Sequence, residues 1–162
     1  MKIKFDIVSI GEVKSINGKV SVHLEKEYVP GLTQIKGFSH LQVIWWAHLV
    51  DNKTGRGSLM VEKLFKKAPE KLGIFSTRAP ARPNPIMVST IRVEKLDLEN
   101  GIIHTPFIDA EPGTPVLDIK PYFPMERVRD CEVPEWFSHW PGWAEDATSF
   151  NWEDEMIPPL KS

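Results

Sequence analysis

Arg78 and Arg82 lie in the stretch Phe75-Ser-Thr-Arg-Ala-Pro-Ala-Arg-Pro-Asn-Pro-Ile86, where Pro80, Pro83 and Pro85 fix φ and remove backbone donors. A stiff loop with two guanidiniums suits a carboxylate or phosphate, gripped by paired hydrogen bonds at small entropic cost. Equally, the arginines could brace backbone carbonyls in a structural crossover. Asn84 is held between two of these prolines. A second stretch runs from Asp109 to Tyr122. Within it Pro112-Gly113 predicts a type II turn, and Asp118, Lys120 and Tyr122 alternate onto one strand face. Such a face is either the wall of a site or an exposed edge where Asp118 and Lys120 pair with each other. A third stretch, Gly37-Phe-Ser-His40, brings Ser39 and His40 to the start of an apolar run. His40 and His48 are not at a metal-ligand spacing, so no metal site is expected. No phosphate loop, dinucleotide fingerprint or Gly-x-Ser-x-Gly elbow occurs.

The elements that must position these groups read mostly as strands. Asn17-Gly18 predicts a hairpin turn between a strand over Phe5–Lys14 and the alternation Val20, Val22, Leu24. Leu41–Val50 is almost wholly apolar and reads as a strand buried on both faces, with a short helix as the other option. Ile86–Leu98 predicts a long strand, Glu99-Asn100-Gly101 a turn, and Ile102–Ile108 and Val116–Ile119 further strands. Val61–Leu72 has helical spacing that Pro69 limits to a few turns. Many short strands with turns between them lead us to expect a mainly β chain, a single small β-barrel with short helices, over residues 1–130.

Residues 131–162 differ in character. Trp136, Trp140, Trp143 and Trp152 fall there, in an acidic context, as a C-terminal extension. Its rings either pack on the barrel or a sister subunit, the reading we favour, or form a platform for bases. The charge is asymmetric. Lys53–Lys95 holds ten basic and three acidic residues, whereas 131–162 holds seven acids and one lysine. A basic middle points to an anionic partner, or else to faces that neutralise one another on folding. With 41% hydrophobic and 26% charged residues over 162, one ordinary globular domain is expected. No apolar run is long enough to span a bilayer, the first residues show no secretory pattern, and Cys131 is the single cysteine. These features lead us to expect a cytoplasmic protein.

Taken together, Gly37–His40, Thr77–Ile86 and Pro112–Tyr122 resemble the motifs of the TrmO/TsaA-like family, over roughly residues 7–124. The resemblance implies a small β-barrel, usually homodimeric, that binds S-adenosylmethionine and methylates N6 of threonylcarbamoyladenosine beside the tRNA anticodon. It carries cofactor contacts to Ser15, Ile16 and Asn17, to Ser39 and His40, to Arg82, and to Ile108, Asp109 and Ala110. In these roles Arg82 would pair with the cofactor carboxylate, Asp109 would accept from its amine or ribose, and Ile108 would pack on adenine. Residues for catalysis are sought among Asn84, Asp118, Lys120, Tyr122 and His40, and for anion or RNA binding among Arg78, Lys66, Lys67 and Lys71. The alternative is a module that binds S-adenosylmethionine without modifying RNA, or a methyltransferase for a small anionic acceptor. Met87, where the family motif usually has glycine, and the acidic extension favour that alternative.

Overall fold

The computed structural model describes residues 3–157, so Met1, Lys2 and the end of the expected extension, including Lys161, lie outside it. Its main sheet has seven strands in the order β6-β3-β9-β1-β2-β8-β7, with β4 and β5 in a separate ribbon. The strands are β1 (Gly11–Ile16), β2 (Lys19–Leu24), β3 (His40–Trp46), β4 (Met60–Glu62) and β5 (Lys71–Gly73). They continue as β6 (Ile86–Arg92), β7 (Lys95–Asp97), β8 (Ile102–Thr105) and β9 (Pro115–Pro121). All paired strands are antiparallel.

The β1–β2 hairpin turns at Asn17 (φ 51°) and Gly18 (φ 74°), as the Asn-Gly pair predicts. Its first strand starts at Gly11 rather than Phe5; Phe5 and Ile7 are exposed. Alternation then builds the core. Val13, Val22, Leu41, Val43, Ile91, Ile103 and Val116 are each at most 1% exposed, and burying such a side chain contributes about 1.5–3 kcal/mol.

Four further expectations change. The strand over Leu41–Val50 ends at Trp46, and only its Leu41, Val43 and Trp45 face is fully buried, because Gln42, Ile44 and Trp46 stand on the outer face. The strand over Ile86–Leu98 divides into β6 and β7. The sheet is not a closed barrel, since no ladder joins β6 to β7 among the described residues. The division explains the missing closure. Val93 N–H donates to Ser39 O (2.8 Å) beside β3, and Glu94 N–H donates to His104 O (2.9 Å) beside β8. One bent chain segment thus supplies both edge strands, its first half laddered to β3 and its second to β8, with no ladder between the halves.

The fourth change is at Val61–Leu72, which forms no helix. Val61 pairs with Leu72 in the β4–β5 ribbon. Leu64 and Phe65 lie in the connection and meet the C-terminal segment. Lys66 N–H donates to Glu155 O and Ile157 N–H to Leu64 O, both at 3.0 Å. The Phe65 ring lies edge-on to Trp140 at 4.8 Å, and Trp140 edge-on to Trp152 at 5.1 Å. Two apolar residues turned toward a distant partner had mimicked helical spacing.

Trp45 is fixed by an indole N–H donated to Ser89 Oγ at 2.9 Å. Ser89→Ala leaves that donor unpaired in a half-buried site, so thermal denaturation should show a loss of about 1–2 kcal/mol.

Candidate functional site

Beyond Trp46 the chain turns through His48–Val50, and Ala47 N–H donates to Pro85 O at 2.8 Å. That bond docks the proline-braced loop on the end of β3. Asp51 holds the turn from below: it accepts from the Trp46 indole at 2.8 Å and from the Arg56 guanidinium, which lies over the Trp46 ring. The Arg56 hydrogen bond first, then that of Trp46, keeps the Asp51 carboxyl below the usual carboxylate range. On the facing side Gly113 has φ 85° and Thr114 N–H donates to Glu111 O at 3.1 Å, the turn that Pro112-Gly113 predicts.

Between these walls lies a cleft of about 210 Å3. Trp45, Ala47, His48, Leu49 and Val50 form one side, Pro80 caps it, and Asp109, Ala110, Glu111 and Thr114 form the other. Its walls are largely apolar, with two carboxylates at the rim. His48 Nδ1 is buried and has no hydrogen-bond partner, and so is Arg82 Nε in the loop beside Pro80. Buried polar atoms without partners are rare enough in native structures to point to a missing acceptor or donor.

The expected site residues fall into separate groups. Asp109 and Ala110 line the cleft, whereas Ile108, only 5% exposed, belongs to the core. The Ser15–Asn17 tip is at the same end of the sheet, since Ser15 pairs with Val20 and Val20 with Thr105, shortly before Ile108. Ser39 and His40 are at the other end of β3. Ser39 Oγ is 2.9 Å from His40 Nδ1, and the His40 and Tyr122 rings stand edge to face at 6.5 Å. His40 to Trp46 spans about 20 Å at ~3.3 Å per strand residue, so one subunit does not bring Ser39, His40 and Tyr122 to Asp109.

Both arginines of the loop engage backbone. Arg82 Nη2 donates to Ile74 O (3.1 Å) and Thr77 O (2.7 Å), and Arg78 donates to Val88 O on the outer edge of β6. Asp118 and Lys120 pair with each other, and Asp118 also accepts from Ile119 N–H. Asn84 is exposed, its carbonyl accepting from Ile86 N–H at 2.7 Å. Lys66 lies 3.6 Å from Asp154, Lys71 4.0 Å from Glu62, and Lys67 acts on Glu155 through its charge. Among the described residues no group of three His, Cys, Asp or Glu gathers to hold a metal, and no helix is long and apolar enough to cross a membrane.

Trp45, His48, Glu111 and Thr114 were not singled out from the sequence as site residues. The usable signal was a histidine ending an apolar run, at the point where a strand meets the proline loop.

The family of the tRNA-methyltransferase O N-terminal domain matches residues 9–126. A probable S-adenosyl-L-methionine-binding protein of Pyrococcus abyssi is 39% identical over 76% of this chain and 61% of its own length. The tRNA (adenine(37)-N6)-methyltransferase of Escherichia coli is 30% identical over 90% of this chain and 61% of its own length. The crystal structure of TrmO from Pseudomonas aeruginosa superposes with a TM-score of 0.61 at 26% identity, over 80% of this chain and 62% of that one. The chain therefore spans about three-fifths of the length of each of these relatives. With the motifs of the proline loop and of the Asp109–Tyr122 segment both inside the matched span, this chain belongs to the tRNA-methyltransferase O N-terminal domain family.

Proposed function

We propose that this chain is a cytoplasmic, S-adenosylmethionine-dependent methyltransferase acting on N6 of an adenosine in tRNA, with threonylcarbamoyladenosine as the acceptor. The observation that carries the reading is the cleft: apolar walls, the Asp109 carboxylate at its rim, and the unpartnered nitrogens of His48 and Arg82 at and beside it. The names of the relatives support it. The residues fit the cofactor chemically, because a zwitterionic amino acid, a ribose and a flat base need acceptors, donors and an apolar slot in turn. When bound, S-adenosylmethionine supplies an electrophilic methyl on a sulfonium.

The chain's own residues do the rest. Asp109 accepts from the cofactor amine or ribose, and the Trp45 ring, held by Ser89, gives the slot a fixed wall. The buried Trp45 and Ala47 keep one wall of the slot dry, which favours loss of the sulfonium charge in a preorganised pocket. Alignment of acceptor with methyl is the main catalytic contribution. A homodimer is part of the proposal, with residues 1–130 carrying the site and 131–162 as an acidic extension. At about 20 Å from the cleft along β3, the Ser39, His40 and Tyr122 cluster meets it only across subunits. There His40 or Tyr122 could take the acceptor proton, a role Asp118 is less free to fill while paired with Lys120.

The reading is tested by incubating the chain with methyl-labelled cofactor and tRNA, with and without the threonylcarbamoyl group. Label in the modified tRNA alone is the expected result. Tight cofactor binding with no label in any RNA would favour the binding-module alternative, which the name of the Pyrococcus relative also suits. Asp109→Ala should weaken cofactor binding about tenfold by calorimetry, the scale of one hydrogen bond to a charged group.

A further inference from the structure

Four residues from neighbouring strands stand in one row across the outer face of the sheet. Lys14 of β1 is opposite Ser21 of β2, Ser21 is opposite His104 of β8, and His104 is opposite Lys95 of β7. The alternate positions Val13, Val22 and Ile103 are core, which places the row on the other side. At ~4.8 Å per strand the row is about 14 Å long, more than the separation of neighbouring phosphates along a nucleic-acid strand. Beside its His104–Lys95 end lies a cleft of about 320 Å3, whose lining includes Lys19, Lys95, His104, Pro106 and Glu94.

Lys19 and Lys95 are more available than Lys63, Lys66 and Lys71. Lys63, Lys66 and Lys71 face Glu70, Asp154 and Glu62, whereas Lys19 and Lys95 have no ion-pair partner among the described residues. Lys14 pairs with Glu12 at 3.1 Å, an exposed contact that a phosphate can displace. Ser21 is only 4% exposed and its Oγ lies 2.9 Å from His23 Nε2, so it spaces the row without offering a donor to a ligand. Burial first, then the Lys14 ammonium, hold that imidazole below its usual value, with His104 adding in the same direction and Glu12 opposing. Pro106 places the cleft directly before Ile108–Ala110, and Gly18 places it at the hairpin tip.

We propose that this row and cleft bind the phosphate backbone of the RNA acceptor, a reading that rests on the methyltransferase function above. Lys19 and Lys95 hold adjacent phosphates, and the half-buried His104 donates between them. Glu94 would repel a phosphate laid on it, but its carboxylate accepts a ribose 2′-hydroxyl, which gives RNA the advantage over DNA.

The test is binding of labelled total tRNA, and of one anticodon stem-loop made as RNA and as DNA, to the full chain across a salt series. Lys19→Glu/Lys95→Glu is compared with Lys26→Glu/Lys36→Glu, an equal charge reversal elsewhere. The first pair should lose about tenfold or more in RNA affinity and flatten the log–log salt slope by about 1.4, two contacts at ~0.7 each. Its cofactor affinity by calorimetry should be unchanged, the second pair should stay within about twofold, and the RNA stem-loop should outbind its DNA copy. Equal losses in both pairs, or none in the first, overturn the proposal while leaving the methyltransferase reading standing. Competition by inorganic phosphate that the first pair abolishes without loss of RNA affinity would make the cleft a free-phosphate site, and also overturns it. A wild-type chain that binds cofactor but neither binds nor methylates any RNA takes down the functional reading and this proposal together.

Discussion

Arg82→Ala should lower the melting temperature by roughly 5–10 °C and weaken S-adenosylmethionine binding, whereas Asp109→Ala should do only the second. Both residues sit in loops. Geometry separates them. Arg82 Nη2 ties Ile74 O and Thr77 O together across the loop, and hydrogen bonds to a charged group contribute about 1.5–3 kcal/mol each. Against that, its buried Nε has no partner, and removing an unsatisfied donor returns about 1–3 kcal/mol. The net cost is about 2–3 kcal/mol, and each kcal/mol shifts a chain of this size by about 2–4 °C. Asp109 is exposed and makes no such bond among the described residues. Arg82→Lys tests the geometry further, since an ammonium is a point donor and cannot reproduce the guanidinium fork; it should recover only part of the lost stability. An Arg82→Ala protein that melts like wild type would show that the proline loop stands without its brace. One that melts early but binds cofactor normally would confine Arg82 to the scaffold.

Local chemistry was legible in the sequence where one short segment decides it. Asn17-Gly18 and Pro112-Gly113 specify their turns by backbone conformation alone, and the alternation about Val22, Ile103 and Val116 specifies which face is core. The resemblance marked Asp109 and Ala110, which do line the cleft. What depended on distant partners was not legible. Leu64 and Phe65 looked like a helical face because the residues they meet lie beyond residue 130. His40 opens the strand that holds Trp45, with Ser39 just before it, yet a strand carries neighbours apart by about 3.3 Å per residue, so motif proximity in sequence became separation in space. The two edges of the sheet could not be predicted to stay unladdered, because that follows from one bend at Val93–Glu94. His48 was missed for a similar reason: its significance comes from the loop docked over it, through Ala47 and Pro85.

Trp140→Ala should release the C-terminal segment from the β4–β5 ribbon while the seven-stranded sheet stays folded. Trp140 packs edge-on against both Phe65 and Trp152, and its indole N–H donates to Glu155 Oε1 at 3.1 Å. Glu155 is only 6% exposed, and its other oxygen lies 2.8 Å from His139 Nε2. Truncating a buried Trp costs about 3–5 kcal/mol, and the lower end suits a ring that keeps some exposure. About 3 kcal/mol corresponds to a rise of roughly 100-fold or more in hydrogen exchange at amides whose protection needs this contact. Lys66 and Ile157, whose N–H groups bond across the junction, should show it, and Val43 in the sheet should not. Acid should open the same junction first. Burial alone would raise the Glu155 carboxyl, but the hydrogen bonds from His139 and Trp140, with the charges of His139 and Lys67, outweigh it and hold it below the usual carboxylate range. A depressed folded value means the stabilisation is complete above the unfolded value near ~4.3 and is lost as pH falls through the folded one. Exchange at Lys66 and Ile157 should therefore accelerate, relative to Val43, below about pH 4, and Glu155→Gln should remove that pH dependence while weakening the junction at every pH. Equal acceleration at Val43 in Trp140→Ala would mean that ribbon, extension and sheet unfold as one cooperative unit.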